Sequence, residues 1–140
     1  MEKPLYDIID HTADMGIRVH AKTREGLFES GAAAFFDIIG EWGKPGTSHV
    51  HKIRLEGETN EDLFHGWLDE LNFLHQTRDL VFFEFDVRIP RNGLLEATVR
   101  GRKINRVEDA LLVEIKAVTH HELRVEEEAD GWHASVIFDV

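Results

Sequence analysis

The chain has 140 residues, the length of one domain, which can bury roughly two-thirds of its unfolded surface. It has no cysteine, which excludes disulfides, thiolate metal sites and a cysteine nucleophile. Twenty-seven acidic against 16 basic residues leave a net charge of −11, a field that repels phosphate backbones and argues against direct nucleic-acid binding.

An apolar fraction of 42% and a charged fraction of 31% are those of a globular protein. No apolar run approaches the ~20 residues needed to span a bilayer. The N-terminus shows no basic region leading into an apolar stretch, so a cytoplasmic protein is expected, with no membrane partner.

In chain order, Tyr6 to Ile9 reads as a short strand. Ile17, Val19 and Ala21 alternate with Arg18, His20 and Lys22, as in a half-buried strand. Thr23 is placed to cap a helix in which Leu27, Phe28, Gly31, Ala34, Phe35 and Ile38 form one apolar stripe, with Gly40 as its stop. Gly40 to Ser48 reads as a loop. His51, Ile53 and Leu55 predict a strand, and Asn60 the cap of a second helix. Leu63, Phe64, Trp67, Leu68, Leu71 and Leu74 are the buried face of that helix.

Leu80 to Ile89 predicts a long strand with Phe83, Phe85, Val87 and Ile89 on one side. Asn92-Gly93 turns it into a partner containing Leu95, Ala97 and Val99. Residues 103–112 have no clear period. Glu114 to Thr119 and Leu123 to Val125 read as extended. Asp130-Gly131 forms a second hairpin turn before the alternating Trp132, Ala134, Val136 and Phe138. The expected fold is therefore a single α+β domain over residues 1–140. It has a mixed or antiparallel sheet of about seven strands with two helices on one face. Each helix shows one apolar stripe, which predicts that neither is sandwiched between layers.

No phosphate loop, dinucleotide fingerprint, His-Glu-x-x-His helix or Gly-x-Ser-x-Gly elbow is present. Two acidic features remain. His11-Thr12-Ala13-Asp14-Met15-Gly16 packs an imidazole, a hydroxyl, a carboxylate and a glycine into six residues between strands. It is read either as a tight turn or as part of a cation site. At the other end, Asp139 lies beside the α-carboxylate of Val140. That pair is read either as a solvated terminus or as half of a hard, all-oxygen site. The adjacent His120 and His121 point to opposite faces of a strand, and His49 and His51 have no third ligand nearby. Lys116, between Ile115 and Ala117, must snorkel, pair with a carboxylate or face solvent.

Four ordered segments together resemble the archease family. They are His11 to Val19, Trp67-Leu68-Asp69-Glu70-Leu71, Glu114 to His121, and Trp132 to Val140. The resemblance spans nearly the whole chain. It departs from the family pattern at His120, Asp69 and Asn72, where tyrosine, asparagine and leucine are common. The resemblance implies a non-catalytic accessory protein that activates an RtcB-type tRNA-splicing ligase, promoting its guanylylation and multiple turnover. It also implies a divalent metal site (Ca²⁺, Mg²⁺ or Mn²⁺) at Asp14, Asp139 and Val140. Asp14, Lys116 and Asp139 would act on the partner, with His11, Thr119 and His121 in support. An alternative for the same family is a chaperone or specificity modulator of RNA-modifying enzymes such as a tRNA methyltransferase.

Overall fold

The computed structural model describes residues 6–11 and 14–140, with backbone alone at 9–11. The α+β class is as expected, but the strands number ten and fall into three antiparallel sheets among the described residues. The first sheet contains β1 (Tyr6–His11), β2 (Asp14–Ala21), β8 (Ala117–Val118), β9 (Arg124–Glu128) and β10 (Gly131–Asp139). Strand β10 runs beside β2, and β8 and β9 pair with successive parts of its far edge. The second sheet has the order β4 (His49–Glu56), β6 (Leu94–Lys103), β5 (Leu80–Arg91). Two short segments, β3 (Gly40–Glu41) and β7 (Ala110–Leu111), close the third.

Helix α1 (Arg24–Ile39) starts at Thr23, whose side chain accepts from the Gly26 amide at 3.0 Å. Helix α2 (Asn60–Arg78) starts one residue earlier than expected. Thr59, not Asn60, is its cap, accepting from the Asp62 amide at 3.0 Å. Trp67 is fully buried in α2 and donates its indole N–H to the Phe28 carbonyl at 2.8 Å. Burying a side chain of that size contributes roughly 4–6 kcal/mol, and the hydrogen bond removes the cost of its polar atom. Gly31 lets the helices approach, since a Cβ there would meet the Phe64 ring at 2.7 Å.

Both helices pack against both larger sheets. Phe35 of α1 meets Phe138 of the first sheet edge-on. Its neighbour Phe36 meets Phe82 and Phe85 of the second. Helix α1 is therefore buried on two sides, contrary to the single stripe read from its sequence. Phe36 and Ile39 widen the stripe, and small residues at 32 and 34 fill the rest. A register shift between Phe82 and Glu84 breaks the alternation of β5. It buries Leu80, Val81 and Phe82 in succession and leaves Phe83 and Phe85 half-buried. Of the extended stretch expected from Glu114 to Thr119, only Ala117–Val118 pairs as a strand. Among the described residues no helix is long and apolar enough to cross a membrane.

Candidate functional site

Strand alternation gives the first sheet an apolar inner face and a polar outer one. Ile17 opposes Val136, Val19 opposes Ala134, and Met15 opposes Phe138 against the core. The intervening residues lie on the outer face, which is polar apart from the buried Gly16–Ile137 pair. At one end of the sheet this places Asp14, the first residue of β2, directly opposite Asp139, the last of β10. Directly opposed residues share a face, with Cα atoms about 4.5–5.5 Å apart. Asp139 is exposed and Asp14 half-buried. Residues 125 positions apart in sequence thus meet at a single register position.

The flanking chain is tied to the same spot. Ala117 opposes Asp139, and the Lys116 amide donates to the Asp139 carbonyl at 2.8 Å. Lys116 is exposed and makes no ion pair among the described residues. Thr119 donates both its amide and its hydroxyl to the Ile137 carbonyl, at 3.0 and 2.8 Å. Its role is to fasten the segment. His121 is exposed and donates its amide to Thr119 Oγ1 at 3.3 Å. Val140 is half-buried and packs on the core, anchoring the tail. His11 opposes Asp14 across the β1–β2 pair, while its side chain, and Thr12 and Ala13, lie outside the described residues.

The departures at 72 and 120 have structural consequences. Asn72 is buried and donates to the Ile115 carbonyl at 3.0 Å; Gln76 donates to the same oxygen at 2.6 Å. Together they hold the residue before Lys116. The His120 ring stacks on His65 at 3.9 Å, and His65 Nε2 donates to the Val118 carbonyl at 2.7 Å.

Chemically, the end of this sheet offers two side-chain carboxylates on one face, with main-chain oxygens beside them. Like charges placed directly opposite repel, and a hard cation relieves that repulsion. The donor set is all oxygen and fits Ca²⁺, Mg²⁺ or Mn²⁺ rather than a nitrogen-preferring ion.

A second polar cluster, missed in the sequence, lies at the opposite end of β10. Glu128, Asp130 and His133 bring ligand-capable atoms within 4.8 Å of one another. His133 Nε2 donates to Asp130 Oδ1 at 2.9 Å. That bond holds the imidazole above its usual pKa and the carboxyl below its own. The signal that finds it is the i,i+3 spacing across the Asp130-Gly131 turn.

The Archease protein family (MTH1598/TM1083) model matches residues 6–140. The chain is 35% identical to protein archease of Pyrococcus abyssi, over 94% of this chain and 95% of that one. It is 37% identical to protein archease of Methanosarcina barkeri, over 96% and 95%. The solution structure of Methanobacterium thermoautotrophicum protein 1598 superposes with a TM-score of 0.78 at 28% identity, covering 96% of this chain and 98% of that one. A Thermotoga maritima crystal structure, described as an archease and possible chaperone, shares the fold. Its TM-score is 0.64 at 23% identity, covering 100% of this chain and 98% of that one. With the family pattern running from β1 to the last residue, this chain belongs to the archease family.

Proposed function

We propose that the chain is a non-catalytic activator of an RtcB-type tRNA-splicing ligase, and that the end of the sheet carrying Asp14 and Asp139 is the part that acts. The observation that supports this reading is the cross-strand opposition of those two carboxylates, with the exposed Lys116 fastened beside them. Asp14, Asp139 and a main-chain oxygen of Val140 would hold one divalent hard ion. Such an ion supplies positive charge to phosphate oxygens in nucleotidyl transfer. The protein's own part is positional. The two strand ends fix the carboxylates, Thr119 fastens the neighbouring segment, and Asn72 and Gln76 set the backbone from which Lys116 projects toward a phosphate or a partner carboxylate. A net charge of −11 steers the molecule to the basic cleft of an RNA-joining enzyme and away from the RNA itself.

Single-turnover guanylylation of the ligase tests this. Asp14→Ala and Asp139→Ala should each abolish stimulation while the circular dichroism spectrum of the fold persists; Lys116→Ala should reduce it. Full stimulation by both aspartate variants would refute the assignment.

One observation favours a second reading, a chaperone or specificity modulator of RNA-modifying enzymes. Leu111 and Leu112, each at least half exposed, border a cavity of about 430 Å³ together with Ile104 and Val113. Binding to a methyltransferase that survives chelator and is lost in Leu112→Asp, with no effect on a ligase, would select it.

A further inference from the structure

On the outer face of the first sheet, His20 of β2 sits directly opposite His133 of β10, and His133 directly opposite Glu126 of β9. The two imidazole rings are 5.9 Å apart and tilted by 37°. Beyond them the β9–β10 turn brings in Glu128 and Asp130. The distances from His133 Nε2 are 2.9 Å to Asp130 Oδ1 and 3.5 Å to Glu128 Oε2.

We infer that His20, Glu128, Asp130 and His133 form a binding site for a divalent transition ion of the Zn²⁺ class, separate from the carboxylate pair at the other end of the sheet. A tetrahedral ion with bonds of about 2.0–2.2 Å places neighbouring donors about 3.4 Å apart. The spacings around His133 Nε2 bracket that edge. The ion takes the place of the Nε2 proton that His133 donates to Asp130, with Glu128 3.5 Å away, so these side chains need little rearrangement to bind it. His20 reaches the ion by a change of rotamer from the facing strand. Imidazole nitrogen selects a borderline metal over Ca²⁺ or Mg²⁺, which prefer oxygen alone.

Two further features suit the site to an ion. The turn is rigid. Gly131 has φ 131°, and a Cβ there would lie 2.5 Å from the Ala21 carbonyl, so the hairpin is held close against the end of β2. The site also borders a cavity of about 390 Å³ lined by His20, His133, Glu126, Arg18 and Arg124, which gives an exchangeable ligand room to enter. Bound metal would join β2 to the β9–β10 hairpin by side chains where they now meet by backbone.

The test is calorimetric titration of the untagged, EDTA-stripped full chain with Zn²⁺ at pH 7, with imidazole NMR signals followed in parallel. One saturating Zn²⁺ per chain is expected, with shifts at His20 and His133. His133→Gln and His20→Gln should each weaken binding at least tenfold. The Asp14→Asn, Asp139→Asn double variant should bind Zn²⁺ as tightly as the parent. None of the four side chains is fully buried, and circular dichroism checks the fold of each variant. Absence of saturable binding overturns the inference. So does undiminished affinity in either histidine variant, or shifts confined to His49, His51, His65 or His120.

Discussion

Asp139→Asn separates a carboxylate kept for binding from one kept for folding. Asp139 and Asp14 share a face at a directly opposed position. Two unit charges about 5 Å apart repel by about 1 kcal/mol where water screens them, and opposed like charges in sheets cost up to ~1 kcal/mol. Asparagine keeps the volume and removes the charge. In EDTA the variant should therefore be more stable than the parent by about 1 kcal/mol. For a chain of this length that raises Tm by about 3 °C. With Ca²⁺ or Mn²⁺ at ~100 times its Kd the parent should gain about 2.7 kcal/mol, or roughly 9 °C, and the variant little. The order of the two melting curves inverts between the two buffers. Differential scanning calorimetry in EDTA and in graded divalent ion reads both quantities on one sample. A variant that melts below the parent in EDTA, or that gains as much from the ion, would refute the reasoning. The first result would make Asp139 a structural acceptor; the second would put the ion elsewhere.

Two other perturbations probe the scaffold. Asp109 has a side chain fully shielded from solvent and accepts four hydrogen bonds: from Arg102 Nη1 at 2.7 Å and Nη2 at 2.9 Å, and from the Gly43 and Asn105 amides at 2.8 and 2.7 Å. The Arg102 guanidinium holds its carboxyl well below the usual range. Asp109→Ala strands a mostly covered cation and should cost about 3 kcal/mol, lowering Tm by roughly 10 °C, with partial recovery on adding Arg102→Leu; an unchanged Tm would show the loop to be independent of the pair. His75 is buried, donates from Nδ1 to the Leu80 carbonyl at 2.8 Å, and is pushed below its usual pKa by burial. The unfolded chain therefore binds a proton near pH 6.5 at His75 that the folded one refuses, and the His75 contribution to stability falls as pH drops below that value. Urea titrations at pH 7.0 and 5.5 should show stability changing less favourably on acidification in the parent than in His75→Gln, by up to about 1.4 kcal/mol per pH unit; equal slopes would refute it.

How far the chain could be read depends on what each signal measures. The β2 and β10 alternations, the Asn92-Gly93 and Asp130-Gly131 turns and the Thr23 cap are local, and all appear where the residues place them. The double-sided burial of α1 is not local. Phe35 meets β10 and Phe36 meets β5, and a count of apolar residues by helical period cannot show that two sheets meet one helix. Thr59 and Asn60 are both good caps, and the choice between them depended on one residue of phase. At the site, each aspartate was visible alone. Their pairing came with the family pattern, since no spacing rule relates positions 14 and 139. The His20–His133 pair was hidden for the same reason: its members belong to strands that meet only in the sheet.

Both ends of this sheet depend on one quantity, the register of β2 on β10. Asp14 with Asp139, and His20 with His133, lie about 20 Å apart along one strand pair. Neither pairing is enforced by its own members, since two carboxylates repel and two exposed imidazoles attract little. What enforces them is the inner face, where Ile17 and Val136 are fully buried and Val19 packs beside Ala134. A slip of one residue would turn Arg18 and His20 into the core and Ile17 and Val19 out to water, losing several kcal/mol of apolar burial at once. The core thus holds opposed charges in place against their own preference. Groups held this way are in place before any ligand arrives, and the inner face predicts that they can be substituted without loss of the fold.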